Sequence, residues 1–157
     1  MDTPLKSRPI HGPTPRLGAR QMASILGSLT ITGRPDKVSG ARAFIAQTLA
    51  ASSRGQRIDS DAATLLTSEL VTNAILHTTS GMVDGTVTIV VVDVPDGVLI
   101  EVIDDGSSNA PVVKGDLFAA DGHGLYLVQQ MAAQWGYLRD PAGTTVWFHL
   151  VAEPQDC

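Results

Sequence analysis

The 157-residue chain is 43% hydrophobic, 4% aromatic and carries a net charge of −5. That length suits one domain with its own core, and the hydrophobic share excludes a disordered chain. Scarce aromatics and the absence of a densely basic stretch make nucleic acid and anionic membrane poor expectations as partners.

The lone cysteine, Cys157, excludes an intramolecular disulfide and a cysteine-based zinc cluster. The N-terminus lacks the apolar core of a signal peptide, and no apolar run approaches membrane-spanning length. The cytoplasm is therefore the expected compartment.

Residues 1–23 carry Pro4, Pro9, Pro13 and Pro15 among Lys, Arg and Gly. They read as a flexible, solvated tail, leaving 24–152 as the domain. Ser24–Thr32 reads as the first strand. Arg34-Pro35-Asp36 opens a helix with Pro35 in its first turn, and Val38, Ala41, Ile45 and Leu49 recur at helical spacing through about Ala51. A polar loop, 52–58, leads to a second helix from about Asp59 to Thr78. Asp59 or Ser60 caps it, and Asp61 suits the positive end of its dipole.

Thr86–Val94 and Val98–Asp104 read as strands of an antiparallel hairpin, turned by Val94-Pro95-Asp96-Gly97. Asp105–Asp121 is a long segment of Gly, Ser, Asn and Pro, the kind of loop that is functional or disordered in a compact domain. A third helix opens near Gly122–Gly124, with Leu125, Val128, Ala132 and Trp135 on one face. Gly136–Arg139 and Thr144–Val151 are the last two strands.

Three features carry chemistry. On a helical wheel of the second helix, Glu69, Asn73 and His77 share the apolar face of Ala62, Leu66, Leu70 and Ala74, with Thr64, Thr67, Ser68, Thr72 and Thr78 opposite. A carboxylate and an amide there need a partner. Either Glu69 and His77 close an internal hydrogen-bond network, or the face lines a polar ligand site. In the second case an amide oxygen ligates Mg²⁺ and a carboxylate orients or deprotonates a nucleophile. The second feature is Asp104 at a strand end in Val102-Ile103-Asp104-Asp105-Gly106. It is either an ordinary turn or an acceptor for an exocyclic amine. The third is Asp121-Gly122-His123-Gly124-Leu125, either a plain helix cap or a phosphate cradle. It is not a Walker loop, because no Gly-Lys-Ser/Thr follows.

The order of these parts is more specific than any one of them. The chain resembles the GHKL (histidine kinase/HSP90-like) ATPase superfamily from about Ser24 to Val151. Ser68-Glu69-Leu70-Val71-Thr72-Asn73-Ala74-Ile75-Leu76-His77 is similar to the first box of its anti-sigma factor serine kinases. The resemblance implies an α/β (α+β) two-layer sandwich of the Bergerat type, with helices on one face of a mixed, mostly antiparallel sheet. It implies ATP and Mg²⁺ as ligands, Glu69 as catalytic base and Asn73 as metal ligand. Asp104 would read the adenine amine. Gly106, Gly122, His123, Gly124 and Leu125 would shape the pocket and cradle phosphates under a lid, and Thr145 would bond near the adenine or its aspartate.

The chain departs from the family pattern in two places. Ser107-Ser108 replaces a second glycine, implying a stiffer lid hinge or lower affinity. His123 stands where relatives often carry arginine, implying weaker phosphate binding. The implied role is a regulator that sequesters a sigma factor and phosphorylates a serine on an anti-sigma factor antagonist, with a homodimer compatible with that role. The alternatives are a partner-binding regulator that uses ATP only as a conformational ligand and, less in keeping with the Glu69/Asn73 face, an acyl-CoA-dependent acetyltransferase.

Overall fold

Alternation of β-branched residues and a turn-capable Pro-Asp pair fold residues 86–104 into a tight hairpin, and the rest of the sheet grows from it. The structure, a computed structural model, describes residues 9–11, 24–106, 123–141 and 143–154. Among these, the strands are β1 (Pro9–His11), β2 (Ser24–Thr32), β3 (Thr86–Val94), β4 (Gly97–Asp104), β5 (Gln134–Asp140) and β6 (Gly143–Val151). The helices are α1 (Val38–Ala50), α2 (Ser60–His77) and α3 (His123–Met131).

The strands form one sheet in the order β1-β5-β6-β4-β3-β2. Every pairing is antiparallel except that of β1 with β5. With the helices on one face, this is the expected two-layer sandwich on a mixed, mostly antiparallel sheet.

Period-two patterning decides which face is covered. Val87, Ile89 and Val91 of β3, Val98, Ile100 and Val102 of β4, and Phe148 and Leu150 of β6 point at the helices. They meet Ala41, Ile45 and Leu49 of α1, Leu66, Leu70, Val71 and Ala74 of α2, and Val128 of α3. Truncating a residue such as Leu66 here costs about 2–5 kcal/mol. On the other face Val94, Leu99 and Trp147 make a second buried cluster. Among the described residues the Nε1 of Trp147 has no acceptor.

β2 and β3 start and stop at the expected residues, and β4 and α2 do so within one. Asp59 is the cap of α2, its side chain accepting from the Ala62 N–H at 3.1 Å. Two expectations are corrected. The third helix stops at Met131, and Trp135 lies in β5, fully buried beside Phe148. Trp135 and Tyr137 alternate as a strand does, and Leu125, Val128, Ala132 and Trp135 only mimic a helical spacing. Within the stretch read as a tail, Pro9–His11 pairs with Trp135–Tyr137. Proline is tolerated as the first residue of such an edge strand, where its missing N–H costs no ladder bond.

Candidate functional site

α2 lies between α1 and α3, in contact with both and with β3 and β4. This position sets which of its side chains are buried. The Ser68 side faces α1, where Arg42 Nη2 donates to Ser68 Oγ at 3.0 Å. Glu69 and Asn73 lie on the flank turned away from α1, half-buried, and His77 is exposed at the last turn.

The wheel expectation is therefore corrected. Thr67 and Ser68, expected outside, are 0% and 4% exposed. The trio Glu69, Asn73 and His77 occupies the margin of the buried arc rather than its centre. A helix packed on two helices and a sheet buries a far wider arc than the roughly 100° stripe of a surface helix, and the arc rotates toward the helix that packs more closely. Among the described residues no hydrogen bond joins Glu69 to His77, so the internal network does not form.

Asp104 ends β4 on the helix-facing side and is 8% exposed. Its Oδ1 accepts from the Gly106 N–H at 2.6 Å and from the Thr144 N–H at 3.3 Å. Burial raises its pKa above the ordinary 3.8; the two backbone bonds oppose that shift, and the charge of Asp105 adds to it. Gly106 reaches its bond through φ +85, a conformation that glycine adopts without strain. Gly143 is packed more closely: a Cβ there would sit 1.9 Å from the Asp104 carbonyl oxygen.

The register pairs Asp104 with Thr144 and Ile103 with Thr145. Thr144 is thus the β6 residue beside the aspartate, and Thr145 points to the opposite face. The signal lay in the parity of β6: Val146, Phe148 and Leu150 are apolar at even positions, and Thr144 shares their face.

Sequence reasoning also missed the turn after α2. Thr79 donates from its N–H and its Oγ1 to the Gly106 carbonyl, each at 2.9 Å. Ser80 Oγ accepts from the Asp105 N–H at 2.8 Å. A cleft of about 480 Å³ opens here, lined by Thr79, Gly106, Gly143 and Thr144 among others. His123, Gly124 and Leu125 form the first turn of α3, as expected of the Gly-x-Gly helix start. Gly122 and most of the proposed lid lie outside the described residues.

The polar flank of α2, the desolvated carboxylate at the end of β4 and the start of α3 thus belong to elements that pack on one another. Residues 31–150 match the profile of the histidine kinase-like ATPase domain, well over half of the chain. The chain belongs to that family. No curated protein matches it. A histidine kinase-like ATPase domain binds ATP, and the residues here fit that ligand. Asp104 offers a desolvated acceptor, and Gly106 and Gly143 leave no Cβ in the way. Among the described residues no helix is long and apolar enough to cross a membrane.

Proposed function

We propose that this ATPase-family domain holds ATP with Mg²⁺ and transfers its terminal phosphoryl group to a serine of an anti-sigma factor antagonist, while binding a sigma factor when the antagonist is absent. The observation that carries the reading is the flank of α2. Glu69 and Asn73, one turn apart, are half-buried with no described partner, inside the box that resembles the anti-sigma factor serine kinases.

Asn73 would supply one oxygen to Mg²⁺. Among the described residues no group of three or more acidic, histidine or cysteine side chains converges. That suits an ion held chiefly by nucleotide phosphates, as Mg²⁺ often is. Glu69 would take the proton of the attacking serine, and Asp104 would accept from the adenine amine. ATP supplies the phosphoryl group. The compartment implied is the cytoplasm, where ATP is available.

Isothermal calorimetry with ATP, with and without Mg²⁺, tests the binding half. Asn73→Ala should abolish the magnesium-dependent part, and unchanged affinity with Mg²⁺ present would remove Asn73 as a ligand. Transfer of labelled phosphate to an antagonist captured from the native cell tests the chemical half. A ligand-only regulator is the second reading, favoured by one observation: no described side chain orients Glu69, whereas a catalytic base is ordinarily held by a third group. No transfer to any captured antagonist would establish it. Family membership leaves no ground for the acetyltransferase reading.

A further inference from the structure

The turn that follows α2 lies outside the resemblance box, yet its hydrogen bonds converge on the Asp104 loop. Thr78 Oγ1 accepts from the Ser80 N–H at 3.1 Å, which sets the turn. Thr79 then spends both of its donors on one atom, the Gly106 carbonyl oxygen, and its Oγ1 also lies 3.3 Å from the Asp105 carbonyl. Ser80, fully buried, takes the Asp105 N–H. The Asp105 carboxylate in turn takes the Thr86 N–H at 2.8 Å. Residues Asp105 and Gly106 are therefore held at the Asp105 N–H, at the Gly106 carbonyl and through the Asp105 side chain.

Gly106 needs such restraint. A glycine at φ +85 has more accessible conformations than any other residue, and its N–H is the shorter of the two bonds to Asp104 Oδ1. Releasing the Gly106 carbonyl frees that N–H to swing and lets the carboxylate rotate.

We propose that Thr79 is a positioning residue for base recognition: it fixes Gly106, and through Gly106 it aims the Asp104 carboxylate at the exocyclic amine of adenine. This inference rests on the reading of Asp104 as the acceptor for that amine. Thr79 acts through the loop rather than by touching the base. Its hydroxyl matters and its methyl does not, so serine replaces it and valine does not.

The test measures binding of ATP and of ITP, both with Mg²⁺, to the full-length chain. ITP carries an oxygen where adenine carries the amine. Thr79 is exposed, so the near-isosteric Thr79→Val leaves the core untouched. Thr79→Val should lower the preference for ATP over ITP by about threefold to tenfold, the worth of one neutral hydrogen bond. Thr79→Ser should keep the wild-type ratio. In an Asp104→Asn background, where an uncharged amide replaces the carboxylate, Thr79→Val should change the ratio less than it does in the wild type.

Two results overturn the inference alone: an unaltered ratio in Thr79→Val while Asp104→Asn lowers it, or the same loss persisting in the double variant, which marks a direct contact. If the wild type shows no preference for ATP, or Asp104→Asn keeps it, the reading of Asp104 fails and the inference falls with it.

Discussion

The C-terminal end of α2 and its flank are built in opposite ways. At its C-terminal end, side chains and backbone of Thr79, Ser80, Asp104, Asp105, Gly106 and Thr144 are joined by hydrogen bonds of 2.6–3.3 Å, and Gly143 packs without room for a Cβ. Along its flank, Glu69 and Asn73 are half-buried with no described partner. The C-terminal end is organised by its own bonds, and in the proposed reading the flank would take its order from the ligand. A planar base can be met by a rigid acceptor at little entropic cost. In the proposed reading the flank meets a metal-bound triphosphate, which would bring its own charges and ligands, so prior order there would add less.

The largest effect should come from the unbound flank. Glu69→Ala should slow phosphate transfer about 10²–10⁴-fold, the usual worth of a general base, while ATP affinity stays equal or rises slightly as one negative charge leaves the phosphate site. Single-turnover transfer together with calorimetry separates the two. Full activity in the variant would make Glu69 structural and erase the contrast in roles.

At the rigid end, Gly143→Ala should cost several kcal/mol of folding stability, on the order of 3 or more, because a Cβ would collide with the Asp104 backbone and the φ of +154 strains any other residue. Urea midpoints measure this. A loss below about 1 kcal/mol would mean that the rigid end yields as readily as the flank.

Asp104→Asn should weaken ATP by about 1.5–3 kcal/mol, the range for a hydrogen bond to a charged group, and should weaken guanine nucleotides less. The same variant exposes the burial of the carboxylate without ligand. The folded-state pKa of Asp104 is raised above 3.8, so the folded protein holds this proton more tightly than the unfolded chain does. The stability it contributes is full below 3.8 and is lost as pH rises through the raised value. Relative to Asp104→Asn, ligand-free wild type should lose ground as pH climbs through that window. Denaturation midpoints of both proteins across a pH series test this, and a constant difference would mean that the carboxylate is well solvated.

The smallest effect belongs to His77. It shares the helix face of Glu69 and Asn73 but is exposed, so His77→Ala should change stability and ATP binding by no more than about 0.5 kcal/mol. A loss as large as that of Asn73→Ala would extend the ligand flank by another turn.

The sequence by itself determined the local elements and the order of the chemical parts. β2 and β3 begin and end where expected because β-branched runs bounded by turn residues need no distant contact to be recognised. The hairpin at 94–97 and the cap Asp59 are equally local. Glu69, Asn73, Asp104 and the Gly-x-Gly helix start were legible because their spacing is a property of the chain.

Only the tertiary structure decided what each side chain faces. α2 buries Thr67 and Ser68 because α1 packs on that side, and no wheel drawn for one helix contains its neighbour. Thr144 rather than Thr145 meets Asp104 because cross-strand register, not proximity in sequence, sets the pair. The strand at Pro9–His11 exists only through the edge that β5 offers. The clasp from Thr79 and Ser80 to Asp105 and Gly106 joins residues about 26 positions apart. Such a bond carries no sequence period; it exists only after the end of α2 and the end of β4 have been brought together by the core between them.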